Sequence, residues 1–486
     1  MPETMTRQEG ARVSEMSEGN ERSGRGKVSR RDFLNATGKL TAACALVGAG
    51  SGSVQADNFS GQPREGSDGR QKVITDRHYY LGDVRLEEGF EYDGDTVVGT
   101  RTALYTLELK DGKIASILPA GASLDASLPR YSAQGRLALP ATRDMHIHLD
   151  KTFYGGPWRA PRSRQGKNIA DMIALEQQLL PELLPTSQQR AEALIALLQA
   201  HGSTQARSHC NIDPVSGLKS LEHLQKALDN HRDGFSCEIV AFPQHGLLRS
   251  NVDGLMREAM QMGVQYVGGL DPTNVDGSME ASLDAMFQIA IDHDAKVDIH
   301  LHETDPSGAA AIRYMTDMVE ATPELRGKLT ISHAFALGTL DAGAVDELAT
   351  RFAQQQISIA STVPIGELVM PLPALYAKGV NVMTGTDSVI DHWSPFGTGD
   401  IMTKANLFAQ LYGDIDEFAL SRSMAIATGG MLPLDEHGQR QWPAVGSDAR
   451  FVLTDASCSA EQVARVSPRL ATFHDGRLVA GGVWKA

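Results

Sequence analysis

Asp144-Met145-His146-Ile147-His148-Leu149-Asp150 closes an apolar, strand-like run that begins at Leu137. Side chains two apart on a strand share a face, so His146 and His148 point the same way. The body of such a strand is buried, and its tip carries groups that core packing does not need. Short β-branched runs of the same kind recur at Thr204–Cys210, Glu238–Phe242, Gln265–Leu270, Lys296–Leu301, Leu329–Ser332, Ile357–Ser361 and Asn381–Thr384, eight in all. Amphipathic stretches separate them. Leu194, Leu197 and Leu198 make one stripe, with Thr186 or Ser187 as N-cap and Gly202 as stop. Leu221, Leu224 and Leu228 make a second, and Leu283, Met286 and Phe287 a third. Eight strand–helix pairs of this size predict an α/β fold, a (β/α)8 TIM barrel over residues 141–429. A doubly wound open sheet fits the alternation almost as well. Its dinucleotide-binding version is disfavoured, because no GxGxxG follows the first strand.

In a barrel the chemistry sits at the C-terminal ends of the strands, so the residues ending each run are informative. The fifth run ends in Asp298-Ile299-His300-Leu301-His302-Glu303, which puts Asp298, His300 and His302 on one face. Glu303, just past the strand, is placed to act as a carboxylate acid/base. The sixth run ends in Ser332-His333 and the eighth in Gly385-Thr386-Asp387-Ser388. Imidazole is the commonest metal ligand, and core packing gives no reason for four strands of one barrel to end in His or Asp. The pattern predicts a metal centre at the barrel mouth.

These residues carry a resemblance to the amidohydrolase superfamily, in its cytosine deaminase-like branch. The matching stretches are His146-Ile147-His148-Leu149-Asp150-Lys151-Thr152, Val240-Ala241-Phe242-Pro243-Gln244, His300 with Glu303, Ser332-His333, and Gly385-Thr386-Asp387 with Trp393-Ser394-Pro395-Phe396-Gly397-Thr398. The resemblance implies one divalent metal, iron or zinc, held by His146, His148, His300 and Asp387. It further implies that the metal-bound water becomes hydroxide and attacks a ring carbon bearing an amino group. Asp387 then accepts a proton, Glu303 shuttles it to a ring nitrogen, and His333 stabilises charge or orients the nucleophile. Gln244 is implied to pair with the polar edge of the ring, and Trp393 to wall a flat heterocycle. Binuclear relatives use a carboxylated lysine, but Cys237–Leu270 contains none, so a single ion without a carbamate is expected.

Departures from the branch blur the substrate. Ser388 stands where cytosine deaminases carry a second aspartate, His302 replaces an Asp, and His245 replaces a common Glu. The run Gly268-Gly269-Leu270-Asp271-Pro272 is closer to the isopropylammelide-type aminohydrolases. The expected substrate is a small heterocycle, a pyrimidine or triazine losing an amino or alkylamino group. A non-catalytic binding protein on the same barrel, or a hydrolase of another amide, remains as the alternative. Lys151 reads as a solvated neighbour or substrate contact, with a cation just behind the metal ligands as the lesser alternative, and His209 as a pocket wall or hydrogen-bonded core residue rather than a ligand.

The flanks add a second domain and an address. Short apolar runs with Asp111-Gly112 and Asp475-Gly476 turns predict a small β-sandwich built from both termini, 71–140 and 430–486. Residues 1–56 resemble a twin-arginine signal peptide, with Ser29-Arg30-Arg31-Asp32-Phe33-Leu34, a weak apolar stretch and a cleavage site after Ala56, followed by a linker over 57–70. A periplasmic or secreted product and the twin-arginine export machinery as a partner are therefore expected. The net charge of −15 over 486 residues argues against a nucleic-acid-binding surface. No long apolar run predicts a membrane span in the mature form. The four cysteines lack CxxC spacing, and an oligomer stays open.

Overall fold

The computed structural model describes residues 70–486. The export-signal expectation and all but the last residue of the linker lie outside the described residues; Arg70 already begins a strand. Among the described residues no helix is long and apolar enough to cross a membrane. The chain enters through β1 (Arg70–Gln71), β2 (His78–Asp93), β3 (Thr96–Lys110), β4 (Lys113–Pro119), β5 (Arg130–Ser132) and β6 (Leu137–Pro140). The barrel strands are β7 (Thr142–Ile147), β8 (Ser203–Asn211), β9 (Ser236–Phe242), β10 (Tyr266–Leu270), β11 (Lys296–His300), β12 (Leu329–Ser332), β13 (Ser358–Ser361) and β14 (Val382–Thr384). The chain ends in β15 (Phe451–Thr454), β16 (Arg469–His474), β17 (Arg477–Gly481) and β18 (Val483–Lys485).

From β7 to β14 each strand pairs in parallel with the next, and the order never reverses. An open doubly wound sheet would reverse at a switch point and leave two free edges. Here the first and last strands meet instead, through a parallel bridge between Ile147 and Asp387, so the sheet closes. The predicted helical stripes face that sheet. Helix Ser187–Ala200 buries Leu194 and Leu198, with Leu197 packed partly against the core, and Gly202 takes the positive φ of 92° that ends it. Helix Met279–Asp292 buries Leu283, Met286 and Phe287.

One expected strand becomes two. The Leu137–Leu149 run breaks at Ala141: β6 pairs antiparallel with β15 in the terminal sheet, and β7 opens the barrel. Pro140 cannot donate to a ladder, which suits the last position of a strand. Ala141 and Thr142 then donate to different neighbours, Arg450 and Gly202. The two termini do form a β unit of their own. It is one continuous ten-stranded sheet around a separate core that includes Tyr79, Leu86, Leu107, Phe451 and Phe473. Register shifts at three places along β2, which pairs with β3, β5 and β6, bend that long strand. Both Asp-Gly pairs make the expected two-residue turns, with positive φ at Asp111, Gly112, Asp475 and Gly476.

Candidate metal centre

The barrel seam builds the site. The backbone N–H of Asp387 donates to the His146 carbonyl at 2.7 Å, and that of His148 donates to the Asp387 carbonyl at 3.1 Å. The pairing that closes the barrel therefore also sets two strand-one histidines against one strand-eight carboxylate. Gly385 permits it: a Cβ there would lie 2.3 Å from the His146 carbonyl oxygen. Asp387 sits at φ 63°, turned out of strand geometry. Its Oδ1 lies 3.5 Å from His146 Nε2 and 3.3 Å from His148 Nε2. His300 arrives from β11 with its ring stacked on Phe242, centroids 4.0 Å apart, and places Nε2 3.2 Å from His148 Nε2. Ligand atoms of His146, His148, His300 and Asp387 all lie within 4.8 Å of one another.

The donor set fits a cation. His148 Nδ1 lies 3.0 Å from the His209 carbonyl, which can only accept, so Nδ1 carries the proton and Nε2 a lone pair. Ser332 donates its hydroxyl to Asp298 at 2.6 Å and so accepts from His146 Nδ1 at 2.8 Å. His146 Nε2 is bare and buried, without a hydrogen-bond partner. Lone pairs of buried imidazoles facing one another and a carboxylate repel unless a positive charge lies between them. Burial foremost, then the charge of Lys151, pushes His148 down to about 4, and burial likewise holds His300 and His333 well below the usual imidazole range. Burial alone would raise Asp387, but its close contacts with His146 and His148 outweigh it and hold the carboxyl well below its ordinary value. His148 and His300 are thus neutral imidazoles and Asp387 an ionised carboxylate at neutral pH.

Other predicted residues gather around this centre. Glu303 is buried; its Oε1 accepts the backbone N–H groups of Thr273 and Asn274 at 2.9 and 2.7 Å, while Oε2 has no partner. His333, at φ 65°, packs 4.7 Å from the His146 ring and 5.2 Å from that of His300, with both ring nitrogens unpartnered. Ser388 is buried directly after the ligand aspartate. Gln244 is buried and accepts from Lys151 through Oε1. Trp393 donates Nε1 to Glu176 at 2.7 Å and offers its ring to Lys151, 5.8 Å away.

Two expectations need correction. Lys151 is not solvated: it is 2% exposed, bonded to Gln244, 3.9 Å from Glu176, and over the rings of Phe242 and Trp393. Burial of its neighbours under the loop after β7 removes the water that its charge would otherwise seek. His209 is a core residue without a ring hydrogen bond; both its nitrogens are unpartnered, and it packs 4.2 Å from His146 and 4.4 Å from His300. With His146 and Asp298 it forms a second compact donor group.

Sequence reading missed three supports. Glu176, on helix Ile169–Leu183, accepts from Asn211 and Trp393; burial pushes it up, but Lys151 and His392 outweigh that and hold it below its ordinary range. A glutamate on the buried face of an amphipathic helix was the available signal. Arg207 spans the barrel interior to Asp298 at 2.8 Å and Tyr266 at 2.7 Å, anchoring the carboxylate that positions Ser332. Asp271 pairs with His302 Nδ1 at 2.9 Å; burial opposes the His302 charge, but Asp271 outweighs it and raises the imidazole.

Comparison with known proteins points the same way. The profile of the amidohydrolase family matches residues 167–480. Uncharacterized protein YahJ of Escherichia coli (strain K12) is 62% identical over 465 residues, 94% of this chain and 98% of that protein. N-isopropylammelide isopropyl amidohydrolase of Pseudomonas sp. (strain ADP) is 28% identical over 284 residues, 57% of this chain and 70% of that protein. A solved structure of N-isopropylammelide isopropylaminohydrolase from Burkholderia multivorans ATCC 17616 superposes with a TM-score of 0.72 at 28% identity, covering 83% of this chain and 99% of that one. A profile match across most of the barrel, together with converging donors at its mouth, places this chain in the amidohydrolase family, the metal-dependent hydrolases of carbon–nitrogen bonds.

Proposed function

We propose that the chain is a mononuclear aminohydrolase that removes an amino or alkylamino group from a cyclic amidine, a pyrimidine or triazine. The carrying observation is the convergence of His146, His148, His300 and Asp387 beside a carboxylate, Glu303, that has one anchored and one free oxygen. The relatives named for isopropylammelide support a ring substrate. A single ion is supported by β9 and β10, which carry no lysine to bridge a second.

A divalent cation held by the four ligands, iron or zinc, would bring the pKa of water toward neutrality. The chain does the rest. Asp387 commits Oδ1 to the ligand cluster, leaving Oδ2 to take a proton from the attacking water. Glu303 keeps Oε1 fixed on two backbone N–H groups, takes the other proton of the attacking water on Oε2 and passes it to the ring nitrogen, while the proton held by Asp387 goes to the leaving amine as the carbon–nitrogen bond breaks. His333 presents an unpartnered ring nitrogen to the developing oxyanion or nucleophile. Lys151 occupies the Gln244 carbonyl, so the amide would read the ring edge as a donor, through its NH2 group. Trp393 and Ser388 bound the ring. Export by the twin-arginine route belongs to the same proposal, on the strength of Arg30-Arg31 and the apolar stretch after them.

The test is release of ammonia or amine from a panel of pyrimidines, purines and triazines by metal-loaded protein, with Glu303→Ala beside it. Loss of the acid/base should cost about 100-fold to 10,000-fold in kcat. No release from any member, with tight binding retained, would point to a binding protein instead. Replacing Arg30 and Arg31 by Lys should hold the protein in the cytoplasm; an unchanged distribution refutes the export route.

A further inference from the structure

Glu176 lies on helix Ile169–Leu183 and is 1% exposed. A capping box between Asn168 and Asp171 fixes the start of that helix, and Ile173, about one turn before Glu176, packs in a small cluster with Phe242, Leu270 and Trp393. Both carboxylate oxygens are engaged, from three parts of the barrel mouth. Oε1 accepts from Asn211 at the end of β8 and lies 3.9 Å from Lys151 Nζ in the loop after β7. Oε2 accepts from Trp393 Nε1 at 2.7 Å and lies 3.1 Å from His392 Nε2, both in the loop after β14. Lys151 is 2% exposed, and Glu176 is the one carboxylate within 4.0 Å of it among the described residues. A buried ammonium without that partner would be a stranded charge. Its hydrogen bond goes to Gln244 Oε1 in the turn after β9. An ammonium can only donate, so the amide oxygen has to face it and the NH2 group has to turn away from it. Gln244 Nε2 makes no hydrogen bond among the described residues.

We propose that Glu176 is a positioning residue for ring recognition: it holds Lys151 against Gln244, which fixes that amide as a hydrogen-bond donor to the ring, and it holds the indole of Trp393. The inference rests on the ring-aminohydrolase reading and narrows its substrate to rings that meet the amide with an acceptor, such as an oxo group, rather than with an amino group. Both Glu176 oxygens are already taken, so it acts through its partners and not on the substrate. Without the Glu176 charge, Lys151 is a buried cation lacking its counter-ion and is drawn toward water, which frees the amide to rotate. Trp393 loses its indole acceptor in the same step. A site built around a fixed donor rejects a ring that meets it with a second donor, because both N–H groups are then left unpaired.

Metal-loaded full-length chain would be given rings paired by oxo against amino substituents, cytosine with 2,4-diaminopyrimidine and ammelide with melamine. Ammonia release gives kcat and KM for each, and calorimetry gives Kd. The unmodified chain should favour the oxo ring of a pair. In Glu176→Gln that preference should shrink about 10-fold, with the loss in KM rather than kcat and with metal content by mass spectrometry unchanged. Glu176→Asp keeps the charge and should fall in between. Glu176→Gln combined with Lys151→Met removes both charges together, so no ion is stranded and the chain should fold, again with the preference lost. A chain indifferent to the two rings, or a preference that none of these variants moves, overturns the proposal and leaves the aminohydrolase standing. Loss of kcat or of metal with the oxo preference intact would make Glu176 a residue of the fold alone and overturns it too. Should no ring release ammonia, Kd decides by the same comparison, and absence of binding by every ring overturns the proposal together with the reading it rests on.

Discussion

His146 shows how much a single ligand depends on groups that never touch the cation. Its Nδ1 hydrogen bond to Ser332 fixes the tautomer, Asp298 fixes Ser332, and Arg207 fixes Asp298. Ser332→Ala removes the acceptor from a buried N–H and a donor from a buried carboxylate. Metal affinity should drop about 10-fold to 100-fold, read by competition with a chromogenic chelator. Lys151 is a second case. Lys151→Met strands Glu176 as a buried charge without its cation, at a cost of about 3–5 kcal/mol in urea unfolding. His148 gives the pH dependence. Burial, then Lys151, lowers it from 6.5 to about 4, so the unfolded chain binds that proton first. Stability of the metal-free fold present at neutral pH should therefore be lost as pH falls from 6.5 toward about 4. His148→Asn should flatten that slope in denaturant midpoints taken across the window. The histidines themselves were legible, because two-residue spacing on a strand fixes their common face. Ser332, Arg207 and Glu176 as supports were not, since each acts through a neighbour far away in the chain.

Among the elements, β14 against β7 is the decisive contact. It is a short seam, and its hydrogen bonds belong to His146, His148 and Asp387 themselves. Gly385→Ala places a methyl 2.3 Å from the His146 carbonyl oxygen and must push the strands apart. Overpacking of this kind costs about 1–3 kcal/mol, and here it should also lower bound metal measured by mass spectrometry at equal protein folded. Retention of full metal occupancy would show that the seam does not set the ligand geometry. The strand and helix elements were legible from periodicity, helix stripes included. The break at Ala141 was not: an apolar run carries no mark of which of two sheets its halves will join.

At the scale of the whole molecule, the cation and the barrel closure support each other, because the ligands come from β7, β11 and just past β14. A ligand that binds only the folded chain stabilises it by mass action, about 4 kcal/mol at a thousandfold excess over Kd. The melting temperature should rise with added zinc or iron and fall on chelation; a melting point indifferent to both would leave the four ligands without a cation to share. The terminal sheet is tied to the barrel by Arg469, which reaches Asp400 and the His201 carbonyl.

By itself the sequence determined the alternation of strands and helices, the polar strand tips and the residue types able to grip a metal, since these follow from periodicity and side-chain chemistry along a local stretch. Only the tertiary structure decided that β14 meets β7 and that Lys151 is buried against Gln244 and Glu176. Those facts depend on which distant faces come together, and the energy of that choice is spread over the whole packed core rather than written in any one segment.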